Sequence, residues 1–143
     1  IGHEPSGKPF LTGGEYHVSI SHTKGYVAVG LHESAQPGID IEAYGERVRK
    51  VESRFVREDE MPERARMESR EELYQLLLHW SAKETVFKCM KNADADLRKL
   101  CLSHFIPQKE GTFQVREYAT EGQSLLSVGY RICEDFVLTW TSC

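Results

Sequence analysis

The sequence contains no apolar run close to the roughly 20 residues that span a bilayer, and no basic, apolar and small-residue succession of a signal peptide. Both absences point to a cytoplasmic protein. It has no surplus of positive charge either, since 18 Lys and Arg stand against 22 Asp and Glu for a net charge of −4. That balance argues against a broad nucleic-acid-binding surface while leaving room for a local basic patch. No stretch repeats at a solenoid period and none is of low complexity. Cysteine is sparse: Cys89, Cys101, Cys133 and Cys143 show no CxxC or metal-finger spacing, so the expectation is reduced cytosolic thiols.

What is present describes one folded domain. A chain of 143 residues can bury roughly two-thirds of its unfolded surface. The opening GHEPSGKPFLTGGE, rich in Gly and Pro, reads as an irregular loop with a turn around Gly7 to Pro9. YHVSIS alternates Tyr16, Val18 and Ile20 against His17, Ser19 and Ser21; with YVAVGL after the short HTKG it predicts a hairpin. GIDIE, from Gly38 to Glu42, predicts a third strand. GERVRKVESRFVREDE reads as a basic helix with apolar spots at Val48, Val51 and Phe55. Between Glu71 and Lys91 there is neither Gly nor Pro, and Leu73, Leu76, Leu77, Trp80 and Phe87 recur at helical spacing. After a loop from Asn92 to Lys99, LCLSHFIP, TFQVREY, SLLSVGYRI and DFVLTWTS predict an antiparallel meander. The sum is an α+β fold, an antiparallel sheet packed against a long helix.

Charge on the long helix needs a reason. At about 100° per residue, Glu84 projects from the centre of the apolar arc, with Lys88 one turn on at its edge. An unpaired buried carboxylate costs several kcal/mol, so Glu84 must meet a cation, either Lys88 or a bound metal. In GIDIE, Ile39 and Ile41 alternate with Asp40 and Glu42, so both carboxylates leave one face of the strand about 7 Å apart. Three carboxylates drawn to one point would repel unless a divalent ion held them, and all-oxygen ligation favours Mg²⁺ or Mn²⁺ over Zn²⁺.

The order of the pieces carries a resemblance. SGKPFL, VSISHTKGYVAVGL, GIDIE, RFVREDE and WSAKETVFK, in that succession, resemble the 4'-phosphopantetheinyl transferase superfamily, whose members move the phosphopantetheine arm of coenzyme A onto a serine of a carrier protein using Mg²⁺. The order is that of the larger type, which serves siderophore and peptide synthetases, and the likeness covers about Gly7 to Lys91. It implies that residues 1–143 correspond to the hinge plus the C-terminal half of such an enzyme, without most of the N-terminal half.

The resemblance also implies roles. Asp40, Glu42 and Glu84 match the metal-binding acids, and Glu84 would also receive the serine proton. Lys88 would steady the leaving 3',5'-ADP, while Lys8, Ser21, His22 and Lys83 match positions around the coenzyme A nucleotide and phosphates. Glu60, with Glu58 and Asp59 beside it, occupies an acidic place near the metal. Carrier proteins are acidic, so Arg47, Arg49, Lys50 and Arg54, with Arg57, form a candidate docking surface. His17, His32, His79 and His104 read as structural. The residues by themselves leave two other functions open: a non-catalytic module that binds coenzyme A or a carrier protein, and another Mg²⁺-dependent pyrophosphate-cleaving enzyme. They also leave open the carrier, the pathway, and whether the protein is a monomer or a homo-oligomer.

Overall fold

The structure is a computed structural model that describes residues 1–90 and 96–143. Part of the loop expected from Asn92 to Lys99 therefore lies outside the described residues; its end, Leu97–Lys99, is a 3-10 turn. The opening segment holds a small antiparallel pair, β1 (Gly2–His3) and β2 (Pro9–Phe10). Gly7, at φ +89°, makes the turn between them, in the region glycine enters without steric cost. β3 (His17–Thr23) and β4 (Tyr26–His32) form the expected hairpin, closed at Thr23 and Tyr26 by Lys24 and Gly25. β5 (Pro37–Ala43) contains GIDIE.

The basic segment after β5 departs from expectation. Only Arg47–Lys50 is α-helical (α1), followed by a 3-10 turn at Glu52–Arg54. A continuous helix here would place Arg47, Arg49 and Lys50 at its positive end and Glu58, Asp59 and Glu60 at its negative end, the reverse of what the helix dipole favours. Instead the chain curls so that Phe55 is fully buried, edge-on to Trp80 with ring centroids 5.2 Å apart.

The long helix α2 (Ser69–Cys89) is where the sequence places it. The meander follows as β6 (Leu100–Leu102), β7 (Glu110–Glu117), β8 (Leu125–Ile132) and β9 (Phe136–Ser142). With β5 it makes a five-stranded antiparallel sheet in the order β5-β9-β8-β7-β6. The core lies between α2 and this sheet: Leu76, Leu77, Leu78, Ala82 and Val86 meet Phe113, Val115, Val128, Tyr130 and Val137. The buried stripe is therefore turned from the one expected, and Leu73, Trp80 and Phe87 are only half-buried at its border. The cause is that α2 is covered on two further sides: the curled segment at residues 51–60 buries Lys83, while β5 and β9 bury Ser81 and Thr85.

Two features draw α2 onto the acid-bearing strand β5 and its neighbour β9. Ser81 Oγ and Thr85 Oγ1 lie 2.8 and 2.7 Å from Thr139 Oγ1 on β9. A Cβ on Gly38 would stand 2.1 Å from the Thr85 carbonyl oxygen, so only glycine lets β5 come this close. At the far end a disulfide joins Cys89 to Cys143, with Cα atoms 5.7 Å apart. This corrects the expectation of four reduced thiols; Cys101 and Cys133 are free. The pairing follows from β9 running back along α2, which brings together ends 54 residues apart in sequence.

β3 lies beside β5 but is not joined to it by a backbone ladder. The amides of Ile39, Ile41 and Ala43 donate to the hydroxyls of Ser19, Ser21 and Thr23, at 3.1, 3.1 and 3.3 Å. The rising numbers on both sides show that the strands run parallel. The polar face of β3 is therefore buried against β5, and Ser19 and Ser21 are buried together with Val18.

Candidate active site

Asp40 and Glu42 leave the same face of β5, and Glu84 and Lys88 stand one turn apart on α2. Asp40 is 3% exposed. Its Oδ1 accepts from Ser21 Oγ at 3.2 Å and from Lys88 Nζ at 3.1 Å. Its Oδ2 is buried without a hydrogen-bond partner. Lys88 donates also to the Ile39 carbonyl at 3.1 Å, so it turns to the strand rather than making the i,i+4 pair with Glu84. Glu42 Oε1 accepts from the Trp80 indole N–H at 2.9 Å.

The three acids act on one another. Burial pushes up the Asp40 carboxyl, opposed chiefly by the Lys88 charge. Burial, then the charge of the neighbouring Asp40, push Glu42 up to about 8. Burial and the Asp40 charge likewise raise Glu84. All three shifts are upward, so burial and mutual repulsion both work against three negative charges in this space.

These residues suit a divalent cation in chemistry, though not as a finished ligand set. Among the described residues no three His, Cys, Asp or Glu side chains are grouped ready to hold a metal ion. In place of the expected convergence, the Lys88 ammonium pairs with Asp40 and the Trp80 indole N–H donates to Glu42. What fits an ion is the unpartnered Asp40 Oδ2 and an all-oxygen donor set whose mutual repulsion a hard cation would relieve.

The other expected site residues divide. Ser21 joins the group through its hydroxyl, engaged by both Ile41 N–H and Asp40. His22, its neighbour on β3, is exposed, and Lys8 is half-buried in the turn before β2. Lys83 is not brought to the acids. One residue from Glu84, it points about 100° away, and its fully buried Nζ donates to the Phe55 carbonyl and, at 2.6 Å, to Glu60 Oε1. This ammonium is closed off from solvent. Glu60 goes with Lys83 rather than with Asp40, Glu42 and Glu84, and also accepts from the amides of Arg57 and Leu102, each at 2.8 Å. Burial opposes its ionisation, but nearby His79 and Lys83 outweigh it and hold the carboxylate down to about 2. His79 Nδ1 lies 3.3 Å from Glu60 Oε2, off the line of a good hydrogen bond.

Of the basic residues, Arg49 is tied to Glu46, Glu72 and Ser69, whereas Arg47, Lys50 and Arg54 are exposed. The sequence reading missed the Trp80–Glu42 hydrogen bond and the Lys83–Glu60 pair. The first had no signal in sequence. The second had one, a lysine beside Glu84 in a helix whose neighbours are apolar.

A strand-borne Asp-x-Glu facing a helix-borne Glu and Lys can be compared with known proteins. A family model of the 4'-phosphopantetheinyl transferase superfamily matches residues 36–141, from the start of β5 to the end of β9. The chain belongs to this superfamily. The matched region takes in every residue of the acid group, Asp40, Glu42, Glu84 and Lys88, while Lys8, Ser21 and His22 lie before it. No curated protein matches the chain. Phosphopantetheine transfer is thus the general chemistry of the family, and the α+β arrangement of a curled antiparallel sheet on a long helix agrees with it. No described helix is long and apolar enough to cross a membrane.

Proposed function

We propose that this phosphopantetheinyl transferase moves the 4'-phosphopantetheine group from coenzyme A to a serine of an acyl or peptidyl carrier protein, with Mg²⁺ or Mn²⁺ held by Asp40, Glu42 and Glu84. The observation that carries the reading is the placement of Asp40 and Glu42 on β5 opposite Glu84 on α2, with a buried Asp40 oxygen left unpartnered. When bound, the ion would stabilise charge developing on the pyrophosphate of coenzyme A. Glu84, whose proton affinity is raised by burial and by Asp40, is suited to receive the serine proton. The Lys88 side chain is 28% exposed, so its ammonium, besides pairing with Asp40, is accessible to the departing 3',5'-ADP. His22 and Lys8, outside the core, are the candidates to meet the nucleotide. Arg47, Lys50 and Arg54 have no ion pair among the described residues and offer their charge to an acidic carrier.

Mass spectrometry of an apo carrier protein incubated with the chain, coenzyme A and Mg²⁺ tests this reading. A mass gain of one phosphopantetheine arm is the expected result. Coenzyme A cleaved without any carrier would instead mark a hydrolase, and intact coenzyme A with an unmodified carrier would mark a binding module; either overturns the proposal.

A further inference from the structure

The hydroxyls of Ser19, Ser21 and Thr23 receive the β5 amides in one unbroken pattern, yet one of them makes a second contact. Ser21 Oγ also donates to Asp40 Oδ1 at 3.2 Å. Accepting from Ile41 N–H and donating to Asp40 are compatible in one hydroxyl, which has a proton to give and lone pairs to receive. Asp40 Oδ1 is thus held by Ser21 and Lys88, while Oδ2 remains buried and without a partner. A carboxylate fixed at one oxygen and unsatisfied at the other is prepared to give the second oxygen to a cation. We infer that Ser21 is a positioning residue, which orients the Asp40 carboxylate for the divalent ion through its hydroxyl rather than lining the coenzyme A site with it. This rests on the proposed metal reading and adds to it a residue outside the acid trio.

Ser19 supplies the internal control. It is buried like Ser21 and accepts from Ile39 N–H at the same 3.1 Å, but its hydroxyl has no contact with an acid among the described residues. Ser19→Ala and Ser21→Ala each orphan one β5 amide and should cost similar stability. Calorimetric titration of the full chain with Mg²⁺ alone, beside thermal melts, separates the roles. Ser21→Ala should weaken Mg²⁺ binding by about 10–100-fold, the usual effect of removing a residue that orients a metal ligand. Ser19→Ala should leave it unchanged. Ser21→Thr, which returns a hydroxyl of the kind Thr23 already places in this pattern, should recover most of the affinity. If Ser21→Ala binds Mg²⁺ like the parent, or if both alanine variants lose affinity alike, the hydroxyl serves strand packing and the inference is overturned. A parent chain that binds no Mg²⁺ overturns the metal reading itself, and the inference with it.

Discussion

Asp40 and Glu84 differ from surface acids because each is held in partly or wholly buried space by neighbours that have other work to do. Replacing either by its amide removes a negative charge, and with it one oxygen of the proposed ion site, without changing shape. Asp40→Asn and Glu84→Gln are therefore expected to lower transfer by at least about a hundredfold, the scale of losing one electrostatic contact to a transition state, with the circular dichroism spectrum retained. Near-parental activity of both variants at saturating Mg²⁺ would remove these acids from the site. Glu60 makes a different prediction. Its carboxylate sits at about 2 in the folded chain, below the ordinary value near 4.3 that an unfolded chain would show, so the unfolded chain binds its proton first as pH falls. The stabilisation from Glu60 is complete above about pH 4.3 and is lost as pH drops through about 2. Glu60→Gln leaves Lys83 charged and unpaired in the core, which should cost about 3–5 kcal/mol at neutral pH. Urea melts at pH 7 and pH 3 should show the gap between parent and variant narrowing at the lower pH; a constant gap would mean that Glu60 is not held down by its partners.

At the scale of elements, the site exists because β5 and α2 are pressed together, and Gly38 is where they touch. Gly38→Ala would force a Cβ to within 2.1 Å of the Thr85 carbonyl oxygen, a backbone atom that cannot swing aside. The helix must shift, at about 1–3 kcal/mol as for other overpacked positions, and Glu84 and Lys88 shift with it. Transfer should therefore fall more than stability does, which steady-state rates measured well below the melting temperature would show. A variant as active as the parent would mean that the spacing of β5 and α2 does not set the chemistry. Trp80 belongs here too. It borders the core rather than filling it, edge-on to Phe55 and bonded to Glu42, so Trp80→Phe should keep most of the stability while removing the donor on Glu42.

Across the whole molecule, α2 and the sheet are closed at their far end by Cys89–Cys143. A link across a 54-residue separation restricts the unfolded chain, and typical stabilisation from such a link is about 2–4 kcal/mol. Reduction, or Cys143→Ser, should lower the melting temperature accordingly. Equal melting with and without reductant would show that the bridge contributes nothing to stability in solution.

Local patterns were sufficient wherever one face of an element decided its neighbours. The hairpin at β3 and β4, the GIDIE strand, the long helix and the meander follow from alternation and helical spacing, and the acids Asp40, Glu42 and Glu84 follow from charge placed where burial would penalise it. The succession of short motifs was enough to point to the superfamily. Sequence could not show which side of an element would be covered by chain distant in sequence. That covering turned Lys83 inward to Glu60, sent Lys88 to Asp40, gave Ser21 to the acid strand and joined Cys89 to Cys143, while the expected basic helix broke. Each of these depends on contacts between segments at least 19 residues apart, except for the basic helix, where adverse charge at both ends acts locally. Periodicity reports which face of a segment avoids water; which partner meets that face is settled only when the whole chain has packed.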